Sequence, residues 1–69
     1  MEKVKKLFGD HLRKLRHKKN WTQEELADKA GLHSTYIGQI ERGVRNPSLI
    51  NLYKLAKALK ITAGELLPF

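Results

Sequence analysis

Residues 22–43, TQEELADKAGLHSTYIGQIERG, constrain the fold more than any other part of the chain. Their punctuation has room for two short helices and a tight turn. Thr22 can cap the first helix through its hydroxyl, and Glu25, three residues on, completes a capping box. Trp21 before the cap and Leu26 four residues after it form a hydrophobic staple, the simplest reading of an aromatic residue at that point. Leu26, Ala27 and Ala30 make a buried stripe, and Gly31 ends the helix where a positive φ is needed. The next helix starts at His33 or Ser34, turns Ile37 and Ile40 inward, and stops near Arg42, with Gly43 closing it.

The flanking sequence reads as a scaffold for that pair. Val4, Leu7, Phe8, His11, Leu12 and Leu15 follow the three-four spacing of an amphipathic helix over 3–19. Gly9 inside it costs about 1 kcal/mol relative to alanine and permits a close approach by another element. His11 falls on the apolar face, as a core or interface histidine. Lys18 and Lys19 suit the helix C-terminus, and Asn20 is a left-handed terminator. After a loop at 44–47, Ser48 caps a fourth helix reaching about residue 60, with Ile50, Leu52, Tyr53, Leu55, Ala56 and Leu59 as its apolar face. Thr62 and Glu65 repeat the capping-box spacing, with Ile61 and Leu66 as a second staple, so a short fifth helix is expected over 63–67 before Pro68. No stretch alternates as a strand does. The expectation is a single domain over 1–69, an all-α compact five-helix bundle.

Composition excludes more than it selects. With 69 residues there is room for one modest core, and no cysteine supplies a staple or a thiolate ligand. His11 and His17 are six apart, on different helix faces, so no metal site is expected. Neighbouring His33 and Ser34 do not make a nucleophile with its base, because no acid orients the histidine. No paired carboxylates or phosphate loop appear, so no catalytic residue, cofactor or small-molecule ligand is expected. The basic N-terminus lacks the apolar core of a signal peptide, and no apolar run approaches the roughly 18 residues of a membrane span. A soluble, cytoplasmic protein is expected. Fourteen Lys and Arg against seven Asp and Glu give a net charge of +7, the footprint of a polyanion binder or simply a solubilising surface. The Lys3, Lys5, Lys6 run reads as a solvated face.

Two helices crossing steeply through a short turn can seat the second in a DNA major groove while the first lies across the backbone. With Ile37 and Ile40 inward, Ser34, Thr35, Gly38 and Gln39 are expected outward. Serine and threonine bond several base edges, and glutamine pairs bidentately with adenine. Bland readings stand beside these. Ser34 and Thr35 also suit a helix start, Tyr36 could simply cover the turn, and Arg42 and Arg45 could be solvated charges. Gln23, at the first helical position, has no strong structural duty, which favours contact with DNA.

The motifs TQEELA at 22–27, AGL at 30–32, YIGQIERG at 36–43 and RNPSL at 45–49 resemble the Cro/C1-type, XRE-like helix-turn-helix family. The stretch GLHSTYIGQIERGVRNPSLINL is particularly similar to the controller proteins of restriction–modification systems. The resemblance covers nearly the whole chain. It implies a lambda-repressor-like DNA-binding domain with the motif at helices 2 and 3, acting as a transcription regulator that binds pseudo-palindromic operator DNA as a homodimer. It implies base-reading or groove-facing roles for Ser34, Thr35, Tyr36 and Gln39. It implies backbone-contact roles for Gln23, His33, Arg42, Arg45, Asn46 and Ser48, and an ion pair between Arg16 and Glu41 joining the first and third helices. Serine stands at 34 where controller proteins commonly carry arginine, the usual guanine reader.

One such helix reads only a few base pairs, so a second copy is expected. Ile61, Leu66, Leu67 and Phe69 make an apolar tail that a domain this small should not bury entirely, and they are the expected two-fold contact. The alternative from another class is an antitoxin or other protein-interaction module of the same fold.

Overall fold

The computed structural model describes residues 2–69. Five helices follow one another: α1 Glu2–Lys18, α2 Gln23–Ala30, α3 Ser34–Glu41, α4 Leu49–Leu59 and α5 Ala63–Leu66. No strand occurs among the described residues. The expected ends were close, with α1 starting and stopping one residue earlier and α5 ending before Leu67.

Local chemistry accounts for these boundaries. In α2 the Glu25 amide donates to the Thr22 hydroxyl at 3.1 Å, and the Thr22 amide donates to the Glu25 carboxylate at 2.8 Å. The same reciprocal pair joins Thr62 and Glu65 at 3.1 and 2.9 Å, which lets so short a helix as α5 form. Ser48 caps α4 by accepting from the Asn51 amide at 3.1 Å. The four longer helices each end in a left-handed residue, Asn20, Gly31, Gly43 and Lys60, at φ 60°, 70°, 75° and 58°. In each, the following amide reaches back five residues: Trp21 to Arg16, Leu32 to Ala27, Val44 to Gln39 and Ile61 to Ala56. These bonds satisfy carbonyls that a simple helix end would orphan.

One core receives side chains from every helix. Phe8, Leu12, Leu26, Ala27, Ala30, Ile37, Ile40, Leu55, Ala56, Leu59 and Leu66 are buried, with Trp21 packed at the edge as the staple requires. Gly9 is where α1 meets α3. A Cβ there would lie 2.3 Å from the Ile40 carbonyl oxygen and 2.7 Å from that of Glu41, so only glycine permits the contact. His11 is half-buried and bonds the Glu65 carbonyl oxygen through Nε2 at 2.8 Å, tying α1 to α5.

Several expectations of burial fail. Val4, Leu7, Ile50 and Tyr53 are exposed, the last two by 67% and 63%. In α4 the apolar residues occupy more of the circumference than the core covers. Gly38, expected outward, is buried, and a Cβ on it would meet the Gln23 and Arg42 side chains at 3.3 and 3.4 Å. Leu66, expected at a partner contact, is 1% exposed and belongs to the monomer's own core, because the α5 cap turns it inward.

Candidate nucleic-acid interface

The back of α3 is fixed by an ionic network. Arg16 grips Glu41 with two bonds, Nε to Oε2 at 2.7 Å and Nη2 to Oε1 at 3.0 Å, and its Nη1 donates to the Trp21 carbonyl at 2.8 Å. Arg13 donates to the Glu41 carbonyl at 3.1 Å. Burial by itself would push the Glu41 carboxyl up. Hydrogen bonds from Arg16 and Gln23, with the charges of Arg16 and Arg13, outweigh it and hold that carboxyl below its usual range. The bond to Glu41, against the burial of its own charge, raises the Arg16 guanidinium in turn. The expected Arg16–Glu41 pair is therefore present, and it fixes the rotation of α3 against α1.

Gln23 belongs to this network. Its Nε2 donates to Glu41 Oε1 at 3.0 Å, so it does have a structural duty, contrary to expectation. One amide hydrogen remains for another acceptor. The side chain bridges the start of α2 to the end of α3, across buried Gly38.

The front of α3 presents the residues singled out for reading. Thr35 is exposed; Ser34, Tyr36 and Gln39 are half-buried. His33 is the N-cap residue and makes no side-chain cap bond, so the first amides of α3 have no side-chain partner. Tyr36 and Gln39 are not free. The Tyr36 hydroxyl accepts from Asn51 Nδ2 at 2.9 Å, the Arg45 guanidinium lies 5.2 Å over its ring, and Arg45 Nη1 donates to Gln39 Oε1 at 3.2 Å. A shallow cleft of about 580 Å³ runs along this surface, lined by His33, Thr35, Tyr36, Gln39, Arg45 and Asn51 among others.

Arg42, Arg45, Asn46 and Ser48 are all exposed; Arg45 lines that cleft, Asn46 lines a second one with Val4 and Phe8, and no carboxylate among the described residues pairs with either arginine. Ser48 accepts the cap bond, which leaves its own O–H to donate outward. Two contributors went unforeseen. Arg13 was hidden because its contacts are on a helix 28 residues away. Asn51, in the first turn of α4, carries no sequence signal of its bond to Tyr36. No grouping of His, Asp or Glu among the described residues could hold a metal, and no helix is long and apolar enough to cross a membrane.

The expected dimer residues are divided. Ile61 and Leu67 line an apolar groove of about 740 Å³ between α4 and α5, together with Leu49, Ile50, Leu52 and Tyr53. Leu66 is only its floor. Phe69, 68% exposed, sits beside a small cleft that it shares with Val4 and Phe8 and that adjoins the groove through Leu52 and Leu67.

Comparison with known proteins agrees with this architecture. Residues 12–66 match the helix-turn-helix family profile. The control protein C.BamHI of Bacillus amyloliquefaciens is 48% identical over 67 residues, covering 96% of this chain and 83% of that protein. The crystal structure of the restriction–modification controller protein C.AhdI from Aeromonas hydrophila superposes with a TM-score of 0.91 at 48% identity, covering 94% of each chain. SinR, a master regulator for biofilm formation solved in complex with DNA, superposes at 0.81 with 33% identity, covering 86% of this chain and 95% of its own. The chain belongs to the helix-turn-helix family, in its Cro/C1-like form.

Proposed function

We propose that this protein is a sequence-specific transcription regulator of controller type, acting in the cytoplasm on pseudo-palindromic operator DNA. It binds as a homodimer with α3 in the major groove of each half-site. One observation carries the reading. A helix whose back is locked by Ile37, Ile40 and Glu41 presents Ser34, Thr35, Tyr36 and Gln39 on its front, flanked by Arg42 and Arg45 without acidic partners. That is the division of labour a DNA reader needs, polar groups for base edges and cations for phosphates. Likeness to SinR, solved on DNA, and to controller proteins supports it.

The roles follow the geometry. Gln39 Oε1 has a second lone pair for the adenine amino group beside its bond to Arg45, and a phosphate that draws Arg45 outward frees it fully. Gln23, through its remaining amide hydrogen, meets phosphate at the N-terminus of α2, where backbone amides also attract anions. Asn46 and the Ser48 hydroxyl continue the phosphate contacts around the loop, and His33 approaches the backbone at the start of α3. The α4–α5 groove, with Ile61, Leu67 and neighbouring Phe69 but not buried Leu66, receives the second copy. An exposed apolar patch of this kind marks an interaction surface, and a two-fold partner would bring the same patch.

Selection of bound sequences from random duplex DNA tests the proposal. The expected product is an inverted repeat with half-site centres one turn, about 34 Å, apart. On that duplex Gln39→Ala relaxes preference at one position by about 1–3 kcal/mol, while Arg45→Ala weakens selected and scrambled DNA alike. Failure to enrich any repeated sequence refutes the reading.

A further inference from the structure

We infer that Asn51, on α4 and outside the two-helix motif, is a positioning residue that sets how Tyr36 addresses DNA. The inference rests on the DNA-reading proposal above. Tyr36 projects from α3, and the structure holds its phenol at two points that α3 does not supply. Arg45 covers the ring from the loop after α3. Asn51 donates Nδ2–H to the hydroxyl at 2.9 Å. Asn51 itself is well anchored, because its backbone amide is the group that Ser48 caps at the start of α4.

The direction of the bond matters. A phenol oxygen that accepts from an amide keeps its own O–H to donate. Purine N7 and the O6 or O4 groups of the major groove only accept. With Asn51 in place, Tyr36 therefore arrives at DNA as an oriented donor. Without it the ring must be ordered when DNA binds, and the hydroxyl has lost the partner that sets its direction. Ordering one such side chain costs a factor of about two to ten in affinity. The same cleft holds Gln39 and Arg45, so Asn51 couples α4 to the whole reading surface through Tyr36.

Two measurements test this. In the DNA-free protein, Tyr36→Phe should move the Asn51 side-chain amide resonances in a nitrogen–proton correlation spectrum. Unmoved resonances overturn the contact whatever the protein binds. On the duplex that the wild-type protein selects from random DNA, Asn51→Ala and Tyr36→Phe should each weaken binding about two- to tenfold, and the double variant should be no weaker than the worse single one. Scrambled duplex should lose little, and the melting temperature should stay close to wild type. Additive losses, or equal losses on selected and scrambled DNA, overturn the positioning role, since Asn51 then acts on DNA or on stability without Tyr36. If wild type selects no sequence, the DNA-reading proposal fails, and the spectroscopic result still decides the contact.

Discussion

Replacing Gly9 by alanine sets two effects of opposite sign against each other. In an open helix interior the change would stabilise by about 1 kcal/mol, since alanine is the better helix former. Here the new methyl would stand 2.3 Å from the Ile40 oxygen, 2.7 Å from the Glu41 oxygen and 2.9 Å from the Glu41 carbonyl carbon. All three are backbone atoms, so no rotamer change relieves them. Ordinary contact begins near 3.4 Å, so α1 and α3 must part by about 1 Å (3.4 less 2.3). Overpacking of this sort costs about 1–3 kcal/mol, with rigid atoms at the upper end. Parting the helices also stretches the Arg16–Glu41 pair, now at 2.7 and 3.0 Å, and damage to a buried pair is costly. The net expectation is a loss of about 2–4 kcal/mol from a domain whose whole stability is roughly 3–10 kcal/mol at this length. Thermal unfolding followed by circular dichroism should show a midpoint at least about 10 °C lower. Gly64→Ala is the control: its nearest neighbour is the Thr62 hydroxyl at 3.8 Å, so the midpoint should hold or rise. A Gly9→Ala protein that melts with or above wild type refutes the close-contact account of how α3 is held.

Two further outcomes are expected. Ile50→Asp and Leu67→Asp, on the rim of the α4–α5 groove, should sediment as monomers at concentrations where wild type is dimeric, whereas Leu66→Ala should instead lower stability by about 2–5 kcal/mol; wild-type sedimentation of both acidic variants would remove the groove from the interface. Because the Glu41 carboxyl titrates below 4.5 in the fold, its contribution is present at neutral pH and is lost as pH falls from about 4.5 through the lower folded value, so the urea midpoint should drop over that window. Arg16→Met alone should cost about 3–5 kcal/mol, the double variant Arg16→Met with Glu41→Leu less, and the double should lose the acid dependence due to Glu41 while keeping that due to Glu65, which bonds to Thr62 hold low. A double variant as unstable as the single one would show that the pair is not acting as a unit.

What the sequence made legible is what neighbours in the chain decide. Both capping boxes, the Ser48 cap and the left-handed ends at Asn20 and Gly31 are settled within six residues and are legible there, as is the stop at Gly43 though not its left-handed backbone. The left-handed end at Lys60 is not, because lysine has no preference for φ near 58°; the bond from Ile61 to the Ala56 carbonyl imposes it. Periodicity found the apolar residues of α4 but could not say that Leu55 and Leu59 face the core while Ile50 and Tyr53 face a groove, since the pattern carries no label for what covers it. The polar contacts that shape the reading surface were least visible. Gln23 to Glu41 and Asn51 to Tyr36 span 18 and 15 residues, and an amide carries no mark in sequence of the partner it will meet.

Those long-range contacts matter because α3 has only eight residues. An isolated helix of that length does not hold together in water. Its shape and direction are therefore properties of what grips it. Glu41 behind is held by Arg16 and Gln23 from α1 and α2, and Tyr36 in front is held by Asn51 from α4. The helix that carries the candidate base-reading residues is thus clamped by three others, two through its buried acid and one through its half-buried phenol. Substitutions at the clamps should then separate by side. Those behind shift stability and binding together, because they free the helix from the core. The one in front shifts discrimination between sequences while the core stays intact.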